Sequence, residues 1–320
     1  VVLDDAAAAR EFLSLRSTAM MDWDAESNRP TLTEFSEEQA EGWAADAVEL
    51  VDRLRAYCEV FSPRGPDQGG WVVPERARPW ALPAEAARER GLPLYSDDFV
   101  LRAMARSEGV PAFGTWSLLN ALAGKGQLEE DSLRDATMSL RRNYAADLPF
   151  DAEQILALAA EDGWQAGPGA FSFARPALWQ DPHRALSLYQ RCLQEVLLHD
   201  ETALPAWCSA ATAGFARGLP TPLAAQRAGT ILAYTVLMGS VLSGGLRADL
   251  FSPLLQASRR AARTLGLEDT LPAAVEVLKG MMEDAFGIPE TGAAFAKLAE
   301  GLNAEDRTAA LQVFLRPSRP

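Results

Sequence analysis

Between Ala84 and Leu119 the chain alternates helix-type and strand-type patterning, and this limits the folds open to it more than any other feature. AEAARERG reads as a helix closed by Gly91, and LPLYSDD as a strand whose last residues are acidic. FVLRAMARSEG reads as a second helix, closed by Gly109, followed by a second strand, VPAFGT, and a third helix, WSLLNALAGKG. A glycine just past a helix supplies the left-handed residue that ends it. Helix–strand–helix–strand–helix is the sequence form of a parallel sheet with crossover helices, so an α/β domain is expected in the first part of the chain.

Upstream, Val1 to Asp4 is a short apolar, β-branched run ending on acids, and AAAAREFLSL after it reads as a helix. A polar passage, DWDAESNRPTLTEFSEEQ, follows. Near its end Ser36, with Glu38 and Gln39 close by, is placed as an N-cap. The helix it opens would present Trp43, Ala47, Leu50, Val51 and Leu54 on one face. SPRGPDQGG is a Pro/Gly loop. From about Asp131 every patterned segment is helical, the last placing Leu271, Val275, Leu278, Met282 and Phe286 at helical spacing. We therefore expect an α/β domain over residues 1–128 and a helical domain over 129–320.

Composition narrows the function classes. The net charge of −14 argues against bulk electrostatic grip on nucleic acid, which normally leaves a basic footprint. Locally the balance shifts: Asp22 to Asp52 holds ten acids against Arg29 alone, whereas Arg53 to Arg106 holds nine arginines against seven acids. Cys58, Cys192 and Cys208 are too few and too scattered for a disulfide framework or a thiolate metal site, and His183 and His199 leave little room for a His-based zinc centre. A reducing, cytoplasmic setting follows as the expectation. The longest apolar run, Ala228 to Leu242, is shorter than the roughly 20 residues of a spanning helix, so a buried core helix is expected there. GPGAF and GSVLSGG lack the lysine and the strand–loop–helix setting of a phosphate-binding loop.

Chemistry is expected where strands end, because ligands of open parallel sheets bind outside the carboxyl ends of the strands. Two strands here end in acids, at Asp4 and Asp5 and at Asp97 and Asp98. Neighbouring strands would bring these carboxylates together without a histidine or thiolate, a donor set suited to Mg²⁺ or Mn²⁺. Such ions assist phosphodiester hydrolysis. Aspartates after a strand also cap helices and form turns, and that alternative stands beside the first.

GLPLYSDDFVLRAMARSEGVPAFGTWSLLNAL resembles the C-terminal third of a PIN domain. The resemblance rests on Ser96, Asp97 and Asp98 at a strand end, then Gly109 and Val110, Gly114 and Thr115, and Leu118 and Leu119. VVLDD is similar to the family's first strand, with Asp4 at the position of a metal ligand. The resemblance implies a three-layer α/β/α fold with a short parallel sheet. It also implies hydrolysis of RNA, with single-stranded DNA as the other candidate, dependent on Mg²⁺ or Mn²⁺ and without a covalent intermediate. Asp4 and Asp98 would be the principal ligands, assisted by Asp97 and a mid-domain acid, for which Glu34 is preferred over Glu37, Glu38 and Glu41. Ser96 and Thr115 would hydrogen-bond ligand carboxylates or water. Arg102 and Arg106, one turn apart after Asp98, would meet phosphate or face solvent.

Two departures matter. Where the family carries an acid before the SDD-type strand, this chain has Ala81, Leu82 and Pro83, with Glu85 and Glu75 only nearby. The mid-domain acid is not singled out by its surroundings. A non-cleaving scaffold is therefore the second reading, and the helical half is where a protein partner would bind.

Overall fold

The computed structural model describes residues 19–24, 29–34, 36–58, 78–143, 145, 148–267 and 269–316. The expected first strand with Asp4 and Asp5, the AAAAREFLSL helix and the SPRGPDQGG loop lie outside the described residues. The chain divides into two compact units, Val1–Leu118 and Leu119–Pro320.

The first unit opens with a feature that the sequence reading lacks. β1 (Ala19–Asp24) pairs antiparallel with β2 (Arg29–Glu34), in register from Ala19 opposite Glu34 to Asp24 opposite Arg29. Asp22, Asp24 and Pro30 disguise these strands as loop. A two-stranded hairpin has only edges, where a proline costs no ladder bond it was obliged to make. α1 (Glu37–Tyr57) starts directly after Ser36, as expected. Its Glu38, Glu41, Asp46, Glu49, Asp52 and Arg53 are exposed; the side chains of Trp43, Ala47, Leu50, Val51 and Leu54 lie outside what the structure describes.

The alternating stretch folds as patterned. α2 (Arg78–Arg90), β3 (Leu94–Tyr95), α3 (Phe99–Ser107), β4 (Ala112–Phe113) and α4 (Thr115–Gly124) follow in order. β3 and β4 are parallel, Leu94 opposite Ala112 and Tyr95 opposite Phe113. Gly91 and Gly109 take φ of 61° and 78°, the left-handed conformation that their closing role requires. One boundary differs: the sequence reading starts α2 at Ala84, whereas it starts at Arg78 and runs through Pro83. Proline near a helix start forfeits a single backbone bond. Burial of Ala81, Ala84 and Ala87 on one face carries the helix through it. Ala84 and Ala87 join Leu94, Leu101, Ala105 and Val110 in a small core that fixes α2 and α3 around β3.

The second unit is helical, and among the described residues no strand follows β4. After α5 (Glu130–Arg142), α6 (Ala152–Glu161) and the single turn α7 (Pro168–Phe171) come α8 (Pro182–His199), α9 (Leu204–Ala216) and α10 (Thr221–Leu242). α11 (Ala248–Thr264), α12 (Leu271–Phe286), α13 (Ile288–Ala299) and α14 (Ala304–Phe314) complete the series. α10 contains the apolar run and packs against α8, α9, α11 and α12. Ala228, Ile231, Leu232 and Val236 are fully buried along it. No helix among the described residues is long and apolar enough to cross a membrane. Two indoles of this core are paired: the Trp207 indole donates to the Trp164 carbonyl at 2.9 Å and the Trp179 indole to the Phe173 carbonyl at 2.8 Å.

Candidate functional site

The site is built where β3 and β4 end. Leu94 N–H donates to the Pro111 carbonyl at 2.7 Å and Ser96 N–H to the Phe113 carbonyl at 3.0 Å. The pairing stops there, and Asp97 and Asp98 leave the sheet with exposed side chains. Each then takes a different task. Asp98 is the N-cap of α3, with backbone angles of −70° and 109° and Oδ1 accepting from Leu101 N–H at 3.0 Å. Ser96 Oγ accepts from Asp98 N–H at 3.1 Å and so tightens the turn into that cap.

Asp97 instead reaches across to the start of α4. Its Oδ1 accepts from Thr115 N–H at 2.7 Å and its Oδ2 from the Thr115 hydroxyl at 2.6 Å. A carboxylate held by a helix's first N–H is also favoured by the helix dipole. Because the Thr115 proton is given to Asp97, the 2.6 Å contact between Tyr95 Oη and Thr115 Oγ1 has the phenol as donor. One threonine hydroxyl thus joins Tyr95 and Asp97.

Arg102 and Arg106 hold this arrangement from behind. Arg102 is buried at 2% exposure, and its Nη1 donates to the Ser96 carbonyl at 2.5 Å. Arg106 donates from Nε and Nη2 to the Ala112 carbonyl at 3.1 and 2.7 Å. Of the two, then, Arg102 lies inside rather than toward solvent. Gly114 permits the crowding: a Cβ there would stand 2.8 Å from Arg102 Nη1 and 3.0 Å from Asp97 Oδ1.

Ser96, Asp97, Asp98 and Thr115 are therefore brought together, with Thr115 bonded to a carboxylate and Ser96 to a backbone N–H. Asp4 lies outside the described residues, and Glu34 is the last residue of β2. Glu85 is buried on α2, which packs against β3 and α3. Among the described residues no three Asp, Glu, His or Cys side chains gather to hold a metal ion. The exposed hard oxygens of Asp97 and Asp98 do suit Mg²⁺ or Mn²⁺. Tyr95 is the participant that sequence reasoning misses; its spacing of two from Asp97 along a strand was the available signal.

The two histidines and two of the cysteines lie in the helical unit. His183 and His199 are exposed on α8, His199 bonding the Glu195 carbonyl at 2.9 Å. Cys192 and Cys208 are buried, and burial pushes both thiols up to about 12, away from nucleophilic form.

Residues 1–107 match the family model of the PIN domain associated with the TPR-GreAB-C-PIN system. The chain carries a PIN-like domain at its N-terminus. No curated protein and no solved structure matches the chain.

Proposed function

We propose that the N-terminal domain hydrolyses phosphodiester bonds, RNA before DNA, with Mg²⁺ or Mn²⁺ held by Asp98 and Asp97 together with Asp4 and Glu34. The observation that carries this reading is the pair of exposed carboxylates at the end of a parallel strand inside a PIN-like sequence. When bound, the metal would supply a Lewis acid and an activated water. The chain's own part is to fix the carboxylates: Thr115 fastens Asp97, the α3 N-terminus fastens Asp98, and Gly114 and Arg102 keep both strand ends close. A three-layer α/β/α arrangement of the whole domain goes with this reading. Arg106, exposed beside β4, is the better placed of the two arginines to meet a phosphate.

A second reading has an observation of its own. Both carboxyl groups already serve as helix-start acceptors, and no third acid joins them among the described residues. This favours a PIN-like scaffold that no longer cuts, with the helical unit as its protein-binding part. The description of the matched family, which names TPR and GreAB-C components, is in keeping with a protein partner for that unit.

Cleavage of labelled RNA and single-stranded DNA in Mn²⁺, Mg²⁺ or EDTA separates the two. Wild type is expected to cut RNA only with metal, and the double variant Asp97→Asn, Asp98→Asn to lose this while melting normally, since asparagine also caps helices. A folded wild type that cuts nothing with either metal sinks the nuclease reading and leaves the scaffold.

A further inference from the structure

Two arginines of the helical unit are buried and line the same cavity. Arg141, on α5, is 2% exposed, and Arg175, between α7 and α8, is 7% exposed. A guanidinium this far from water is usually paired with an anion. Arg141 instead bonds neutral acceptors: its Nε donates to Gln154 Oε1 at 2.8 Å and its Nη2 to the Pro149 carbonyl. These bonds use two of the five N–H groups of the guanidinium. Burial lowers the Arg141 pKa, and the opposing pull of Asp151 comes from a carboxylate that already caps α6, where it accepts from the Gln154 N–H at 3.1 Å. Arg175 brings a second cation to the cavity, its guanidinium 5.5 Å from the centroid of the Phe171 ring.

Size and lining indicate what this cavity would hold. Its volume is about 10 Å³, room for about one water-sized occupant. Leu148, Phe150 and Leu178 give it apolar walls, and the Phe150 ring carries a third cation, the Arg184 guanidinium, 4.2 Å from its centroid. Ser172 also lines it, but its hydroxyl donates to the Pro168 carbonyl at 3.0 Å. None of the described residues lining the cavity is acidic. Phosphate, sulfate and carboxylate groups have too many heavy atoms for such a space. Buried positive charge, carried on weakly hydrated guanidinium groups, favours a monatomic anion over a neutral water.

We propose that the cavity lined by Arg141 and Arg175 is a halide site, filled by chloride in solution and held by guanidinium N–H groups. α5 buries only Thr137 and Arg141, so an anion shared by the two arginines fastens this helix to the segment that follows α7. Chloride then governs how readily α5 opens. The proposal concerns the helical unit alone and stands apart from the chemistry at the strand ends.

The test is amide hydrogen exchange of the full chain, read by mass spectrometry over residues 133–142. Sodium chloride is compared with sodium gluconate at equal ionic strength, gluconate being too large for the cavity. With chloride at about ten times its dissociation constant, exchange over α5 is expected to slow about tenfold and to level off as chloride rises further. Bromide should act in the same way. Arg175→Gln should lose the chloride effect, whereas Arg142→Gln, which removes an exposed partner of Glu161, should keep it. Equal exchange in chloride and gluconate overturns the proposal and leaves water in the cavity. So does a slowing spread evenly over the chain, or one that a folded Arg175→Gln variant retains. If Arg175→Gln fails to fold, the wild-type comparison decides alone: saturable slowing confined to α5 upholds the site, and its absence removes it.

Discussion

Thr115 joins more of the candidate site than any other single residue. Its N–H and hydroxyl both go to Asp97, and its oxygen receives the Tyr95 phenol. Thr115→Val keeps the shape and the N–H but deletes two hydrogen bonds, one to a charged group. Loss of about 1–3 kcal/mol from the first unit is expected, read as a lowered urea midpoint. Metal-dependent cutting should fall with it and Thr115→Ser should recover both; a valine variant as stable and active as wild type would remove Thr115 from the site. That Asp97 and Asp98 end a strand was legible from LYSDD alone. That one caps its own helix while the other crosses to the next was not, because successive residues diverge as soon as the pleat ends, and the point of ending is set by the partner strand. Gly114 was legible as half of a Gly-Thr pair, yet its reason, the closeness of Arg102 and Asp97, is a distance in space.

At the level of elements, the helical half was readable wherever apolar residues recur at three or four positions, as in α12. What joins those helices was not readable. Arg259 on α11 forks between Asp269, just before α12, and Asp306 on α14, with four contacts of 2.7–2.9 Å. These partners lie ten and 47 positions away in sequence, beyond the reach of any local pattern. Arg259 is 17% exposed and Asp306 10%, so removing the arginine leaves a largely desolvated carboxylate without its charged partner, bonded by the Asn303 amide. Arg259→Ala should cost about 3 kcal/mol, measured by chemical denaturation of the second unit. The clamp also sets a pH response. Burial tends to raise the Asp269 carboxyl, but the Arg259 guanidinium and the Leu271 N–H outweigh it and hold the group below its ordinary value. A carboxyl depressed in the folded state contributes stability above its unfolded value, about 3.9, and loses it as pH falls through the folded one. Thermal midpoints should hold from pH 7 to about pH 5 and drop below about pH 4. Asp269→Asn should start lower and lose less; an identical acid slope in this variant would place the response in other carboxyls. The hairpin β1–β2 escaped notice for the opposite reason: its pairing is local, but acidic residues and a proline gave it the composition of a loop.

For the whole molecule, the switch from alternating to purely helical patterning was visible in the chain, and the two compact units divide between Leu118 and Leu119. Each contains its own core, a small one around Leu94 and Leu101 and a large one around α10. Thiol chemistry offers a check on this architecture. Cys58 is exposed, whereas Cys192 and Cys208 are buried with thiols raised to about 12. A thiol reagent at neutral pH should label one cysteine quickly in the native protein and three in denaturant; rapid labelling of all three without denaturant would contradict the core of the second unit. Placement of the large core followed from helical periodicity. Assembly of the site did not, because Asp97 and Thr115 meet in space and no local pattern joins them.

The parallel pairing of β3 with β4 has a kinetic side. Parallel strands usually meet only after a long excursion of chain, yet Asp97 and Thr115, which fasten the two strand ends, are only 18 positions apart. The entropy lost in closing so short a loop is modest, and contacts close in sequence form quickly. Asp97, Asp98 and Thr115 therefore belong to one contiguous segment, whose contacts are expected to form early in folding.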